Sequence, residues 1–125
     1  MDLNHECVRD VLLWVEKNVP TLAAVYTDDL IEGLSDKWDQ NELIYCVIQL
    51  NDAEMLDSGA VKQGGSVSLN QINQLTWKGH EYLDNIRDNN VWAKTKETVL
   101  SKVSSASLNI FSSVAAKIIS SELGL

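Results

Sequence analysis

Apolar side chains recur at helical spacing from Leu3 to Asn18. Cys7, Val8, Val11, Trp14 and Val15 share one broad face, and Glu6, Arg9, Asp10, Glu16 and Lys17 lie opposite. The pattern predicts an amphipathic helix, stopped by Pro20 because a proline disfavours helical backbone in the residue before it. Thr21 to Tyr26, β-branched, small and aromatic, predicts a short extended segment. Thr27 is a good N-cap for a second, short helix ending near Gly33 to Ser35, with Asp28 and Asp29 beside the open amides of its first turn. Asp39 with Glu42 three residues on is an Asp form of the capping box and starts a third helix, expected to run to about Leu56. Its inward stripe is Leu43, Cys46, Val47 and Leu50. Gln40, Asn41, Tyr45, Gln49 and Asp52 face outward.

After Asp57-Ser58-Gly59 the period changes. Two strands, Ala60–Gln63 and Ser66–Leu75, flank Gly64-Gly65, a pair able to supply the positive φ that tight hairpins need. Val67 and Leu69 alternate with Ser66 and Ser68, and Ile72 falls out of phase, which signals a bulge or an early strand end. Thr76 caps a fourth helix carrying Tyr82, Leu83 and Ile86, which Asp88-Asn89-Asn90 breaks or bends. Trp92, Val99 and Val103 then line one helical face, Ser104-Ser105 marks a joint, and Leu108, Ile110, Phe111, Val114, Ala115, Ile118, Ile119 and Leu123 form a final stripe.

This order predicts an α+β winged helix: helix, short strand, two helices, β-hairpin wing, helix. It divides the chain into a winged-helix domain over 1–90 and a helical C-terminal extension over 91–125. The stretch Leu50-Asn51-Asp52-Ala53-Glu54-Met55-Leu56, the hairpin, and Leu75-Thr76-Trp77-Lys78-Gly79-His80-Glu81-Tyr82-Leu83 resembles the frame of winged-helix regulators, with Glu54 where that frame has Gly. A resemblance covering nearly the whole chain is carried by four separated segments. They are Cys7-Val8-Arg9-Asp10-Val11-Leu12-Leu13, Leu75-Thr76 with Gly79-His80, Tyr82-Leu83-Asp84-Asn85-Ile86-Arg87, and Val91-Trp92 with Lys94-Thr95-Lys96. The chain is similar there to a family of small proteins from phages and prophages of Gram-positive bacteria, known only as a domain of unknown function. That resemblance implies a winged-helix fold and no particular activity.

Composition narrows the function classes. The 125 residues are 45% hydrophobic and 22% charged, an ordinary globular balance with enough apolar side chains for a core. The opening residues show no basic segment followed by an apolar run, so no secretory signal is expected. The uncharged runs fall short of the roughly 20 apolar residues that span a bilayer. Cys7 and Cys46 lie inside periodic apolar segments and read as reduced, buried thiols of a cytoplasmic protein. The formal net charge is −8, and residues 1–60 carry thirteen acidic against three basic side chains. The front half therefore repels polyanions at long range.

The candidate chemistry is recognition. In a winged helix the third helix enters the major groove, and here Gln40, Asn41, Tyr45 and Gln49 could meet base edges, with Lys37, Lys62 and Lys78 the nearby cations. The third helix has no Lys or Arg of its own, so the same polar residues serve equally as a solvated face. The final helix spreads its apolar residues over an arc of about 220°, wider than one docked face needs. Leu108, Phe111, Val114, Ala115 and Ile118 are therefore candidates for a homodimer or a partner's groove. Asp28, Asp29, Glu32, Asp36, Asp39 and Glu42 could block a basic site on a host protein, or could serve solubility and helix starts. A zinc site would need His5, Cys7, Cys46 and His80 to converge without any of the usual spacings. No Gly-rich phosphate loop or nucleophile elbow occurs either, and His80 reads as a helix-start residue bonding a backbone carbonyl. The expectation is a non-enzymatic regulatory or adaptor protein without cofactor, metal, small-molecule substrate or membrane contact. Its partner is either duplex DNA or a host protein.

Overall fold

A computed structural model describes residues 2–58, 61–68 and 71–125. Six α-helices dominate: α1 (His5–Asn18), α2 (Thr27–Gly33), α3 (Gln40–Asp52), α4 (Trp77–Ile86), α5 (Asn89–Leu100) and α6 (Leu108–Glu122). Among the described residues four short strands accompany them: β1 (Val25–Tyr26), β2 (Val61–Gln63), β3 (Ser66–Ser68) and β4 (Gln71–Ile72). The chain divides into two compact units, Met1–His80 and Glu81–Leu125, the boundary falling inside α4.

In the first unit the helices start where side chains can cap them. The Asn4 carboxamide oxygen accepts the amides of Glu6 and Cys7 at 3.0 and 3.1 Å, and the Asp39 carboxylate accepts that of Glu42 at 2.8 Å. Cys7, Val8, Val11, Leu12 and Val15 are buried along one stripe of α1, which packs on α3 and its buried Leu43, Cys46, Val47 and Leu50. Leu30 of α2 adds to this core, as do Leu56, Ile72 and Leu75 beyond α3.

The α+β winged-helix class is not what forms; the fold is largely helical. Strands of two or three residues pair in two separate antiparallel ladders, β1 with β4 and β2 with β3, and among the described residues no sheet joins them into a wing-bearing unit. Gly64 and Gly65, at φ +56° and +84°, do turn the chain between β2 and β3. Of the continuous strand expected over 66–75, the described residues form strand only at Ser66–Ser68 and Gln71–Ile72. Its Gln71–Ile72 portion pairs instead with Tyr26 and Val25, and Leu75 makes an isolated bridge to Leu56. Ladders this short supply too few hydrogen bonds to stand as a sheet, so packing of the helices dominates. Leu50, Leu56 and Leu75 are buried. The Val67 side chain, Leu69 and Ala60 lie outside the described residues.

Helix α3 stops at Asp52, short of the expected Leu56, because the chain turns through a left-handed residue. Glu54 has φ +61°, and the amides of Met55 and Leu56 both return to the Leu50 carbonyl. This is the position where the winged-helix frame has Gly. The left-handed region costs a side-chain-bearing residue about 1 kcal/mol or more, and glycine nothing. The exposed Glu54 side chain leaves room for the change. Glu54→Gly is therefore expected to stabilise the protein by up to about 1 kcal/mol in denaturant titration. A loss of stability would mean that the carboxylate contributes something the turn geometry does not reveal.

In the second unit the Asp88 carboxylate caps α5 by accepting the amides of Asn90 and Val91, each at 3.0 Å, so the Asp88-Asn89-Asn90 stretch starts a new helix. Val91, Trp92, Thr95 and Val99 are buried on α5, and the Thr95 hydroxyl donates to the Val91 carbonyl at 2.7 Å. Val103, expected on that stripe, follows the helix end and is exposed. Ser107 caps α6, whose Phe111 ring lies 5.7 Å from Trp92, centroid to centroid. Asn85 donates to the Ser112 hydroxyl at 2.9 Å, and Lys94 pairs with Glu122 at 2.6 Å. That carboxylate raises the Lys94 pKa, a surface effect between two exposed groups.

Candidate functional site

The residues expected at a nucleic-acid face are unevenly available. Gln40 and Asn41 are exposed on the first turn of α3, whereas Tyr45 and Gln49 are half-buried. Lys37 is engaged: its Nζ lies 3.0 Å from Asp10 Oδ2, and the same oxygen accepts the Trp38 indole N–H at 2.8 Å. The ammonium also sits 5.5 Å from the Trp38 ring centroid. Lys78 is exposed on α4, and the Lys62 side chain lies outside the described residues. Helix α3 adds Glu42 and Asp52 and no cation of its own.

The acidic residues are arranged differently. Asp28 and Asp29 occupy the first turn of α2, where Asp29 accepts the Tyr26 amide at 3.0 Å. Asp28, Glu32 and Asp36 are exposed, and among the described residues none of them forms an ion pair. Asp39 is committed to its helix cap. The cluster thus combines carboxylates used locally with three whose charge is unneutralised by any partner side chain.

A shallow depression of about 430 Å³ runs beside α1, between Leu13, Trp14 and Lys17 on one side and Gly33 and Leu34 on the other. Gly33 is closed over by Trp14, since a Cβ there would meet the indole nitrogen at 2.5 Å. The depression is therefore a packing seam of α1 against the end of α2.

Cys7 and Cys46 are free and buried. A hydrogen bond with Cys7, then burial, pushes the Cys46 thiol pKa far up, which leaves it a poor nucleophile. Among the described residues no three His, Cys, Asp or Glu side chains gather as metal ligands. His80 does not turn to a backbone carbonyl; its Nδ1 lies 3.8 Å from a Glu16 carboxylate oxygen.

On α6, Phe111 and Ala115 are buried within the second unit, and Leu108, Val114 and Ile118 are half-buried. The broad apolar arc is thus partly used in packing on α5. Ile110, 49% exposed, is the large apolar residue left on the outer face of the helix body.

Sequence reasoning missed three exposed apolar side chains of the first unit. Leu22 is 99% exposed, Trp77 80% and Tyr26 73%. Their identity signals burial, and their neighbours gave no periodicity to contradict it. The extended segment expected from Thr21 is a strand only at Val25–Tyr26.

Residues 2–105 match a family model described as "Hypothetical protein (DUF2513)", and the chain belongs to that family. It is also similar to an uncharacterised protein of Haemophilus influenzae, 31% identical over 123 residues, which covers 98% of this chain and 99% of the relative. No solved structure matches. Among the described residues, no helix is long and apolar enough to cross a membrane.

Proposed function

We propose that this member of the DUF2513 family is a non-enzymatic adaptor or regulatory protein of phage or prophage type, which acts in the cytoplasm by binding a basic surface of a partner protein. The observation that carries the reading is the set of exposed, unpaired carboxylates Asp28, Glu32 and Asp36 on α2 and the turn after it. Opposite charge across an interface speeds encounter and fixes register, and carboxylates without internal partners keep their field for that use.

Duplex DNA is disfavoured by the same charges. A phosphate backbone is held by Lys and Arg, and here Lys37 is neutralised by Asp10 while α3 supplies carboxylates. The exposure of Gln40 and Asn41 supports the competing reading of base contact by α3. One experiment separates the two. The tagged full chain is incubated with nuclease-treated and untreated host lysate, and its effect on the mobility of random duplex is measured at low salt. The expected result is no duplex shift, with a partner that survives nuclease and is released by salt. A duplex shift weakened by Lys37→Ala, or a partner lost on nuclease treatment, would overturn the reading.

A further inference from the structure

The exposed apolar trio of the first unit is held in place. Gln74 donates its side-chain amide to the carbonyls of Pro20 and Thr21, fixing the loop that carries Leu22. Tyr26 is paired with Gln71 through the β1–β4 ladder. Trp77 opens α4 directly after Thr76, whose amide donates to the Met55 carbonyl and whose hydroxyl accepts the Gly79 amide at 3.0 Å. Gln74 therefore joins the Leu22 loop to the segment that runs into Trp77. Single exposed apolar residues are common on protein surfaces. Three large ones on mutually anchored segments, two of them the aromatic types that dominate binding hot spots, call for a ligand.

Charge selects the occupant. Asp28, exposed and unpaired, comes two residues after Tyr26, and Lys78 beside Trp77 is the one local cation within three residues of the trio. Residues 1–80 carry thirteen acidic against five basic side chains. Nucleic acid and a second copy of this unit would both bring like charge, and a neutral lipid surface would gain nothing from the field. We propose that Leu22, Tyr26 and Trp77 are the apolar anchors of a docking surface for a basic, amphipathic protein segment, one that sets cationic side chains on the acidic residues and aliphatic ones on the trio. The proposal rests on the adaptor reading above and names where its partner gains affinity beyond charge.

The test uses the full chain and the emission of Trp77, read as the difference from Trp77→Phe. Trp14 and Trp38 are half-buried and Trp92 is buried, so Trp77 is the indole most open to solvent. Two probes of equal charge are titrated: a lysine oligomer and an amphipathic lysine–leucine peptide. The peptide is expected to shift Trp77 emission to the blue and to bind at least about tenfold tighter than the oligomer. Leu22→Ser and Tyr26→Ser, both at exposed positions, should remove most of that tenfold while leaving oligomer binding unchanged. Equal affinity for both probes, or serine variants without effect, would overturn the docking surface and leave the adaptor reading intact. A blue shift produced as strongly by neutral vesicles, or by raising the protein concentration alone, would overturn it in favour of lipid or self-association. Tight peptide binding with no oligomer binding would support the anchors and remove the acidic-surface reading.

Discussion

Gly79→Ala is expected to be among the most damaging single-methyl changes this chain can suffer. A Cβ at that position would lie 2.0 Å from the Met55 carbonyl oxygen and 3.0 Å from its carbon, and both are backbone atoms. Alanine is the better helix former, so at an open site in α4 the same change would help. Here the carbonyl cannot retreat freely, because it accepts the Thr76 amide at 3.2 Å in the turn that leads into α4. Relief requires either moving the start of α4 or breaking that bond. A loss of about 3 kcal/mol or more is expected in denaturant titration, at the upper end of overpacking penalties. A change within about 0.5 kcal/mol of zero would mean that α4 does not approach the Met55 turn as closely as described.

Phe111→Ala carries the largest expected effect in the second unit. The ring is buried and meets Trp92 at 5.7 Å with a 40° tilt, so the substitution removes a large side chain from the contact of α5 with α6. Cavity-forming changes of this type cost about 3–5 kcal/mol. The unit has 45 residues, and its core otherwise rests chiefly on Tyr82, Leu83, Ile86, Val91, Trp92 and Val99, so losing this ring removes a large share of it. The near-ultraviolet signal of the buried Trp92 should collapse, while the α1–α3 core keeps its helical signal. Truncation after residue 103 would do the same damage, so a change in its sedimentation would report unpacking of α5 as much as any lost contact between copies. If Phe111→Ala leaves the Trp92 signal intact, α6 is not docked as described.

Much of the helical framework could be read from local spacing. The α1 stripe of Cys7, Val8, Val11 and Val15 follows the 3.6-residue period, and Asp39 with Glu42 marks the start of α3 without reference to anything distant. The Gly64-Gly65 turn is equally local. What failed depends on partners far away in sequence. Gln71 and Ile72 read as part of one hairpin strand over 66–75, yet their partners are Tyr26 and Val25, more than 40 residues earlier. No local pattern records such a pairing, and the element order with its expected long hairpin strand read as a winged helix where a mainly helical fold stands. Lys37, in the turn between α2 and α3, likewise looked available, but Asp10 of α1 pairs with it. Trp77 and Leu22 were hidden by the opposite difficulty. Apolar identity predicts burial, and only the fold decides which apolar residues are left outside.

The acidic-surface reading is tested most directly by the affinity of a labelled lysine oligomer for the full chain and for the Asp28→Asn, Glu32→Gln, Asp36→Asn triple variant, each followed as salt is raised. All three positions are exposed, so the variant should fold as the parent does, which its thermal midpoint checks. The parent is expected to bind at low salt with a steep salt dependence, and the variant to bind at least tenfold more weakly with a shallower one. Equal binding by parent and variant would show that the carboxylates of α2 and its following turn are not the recognition surface.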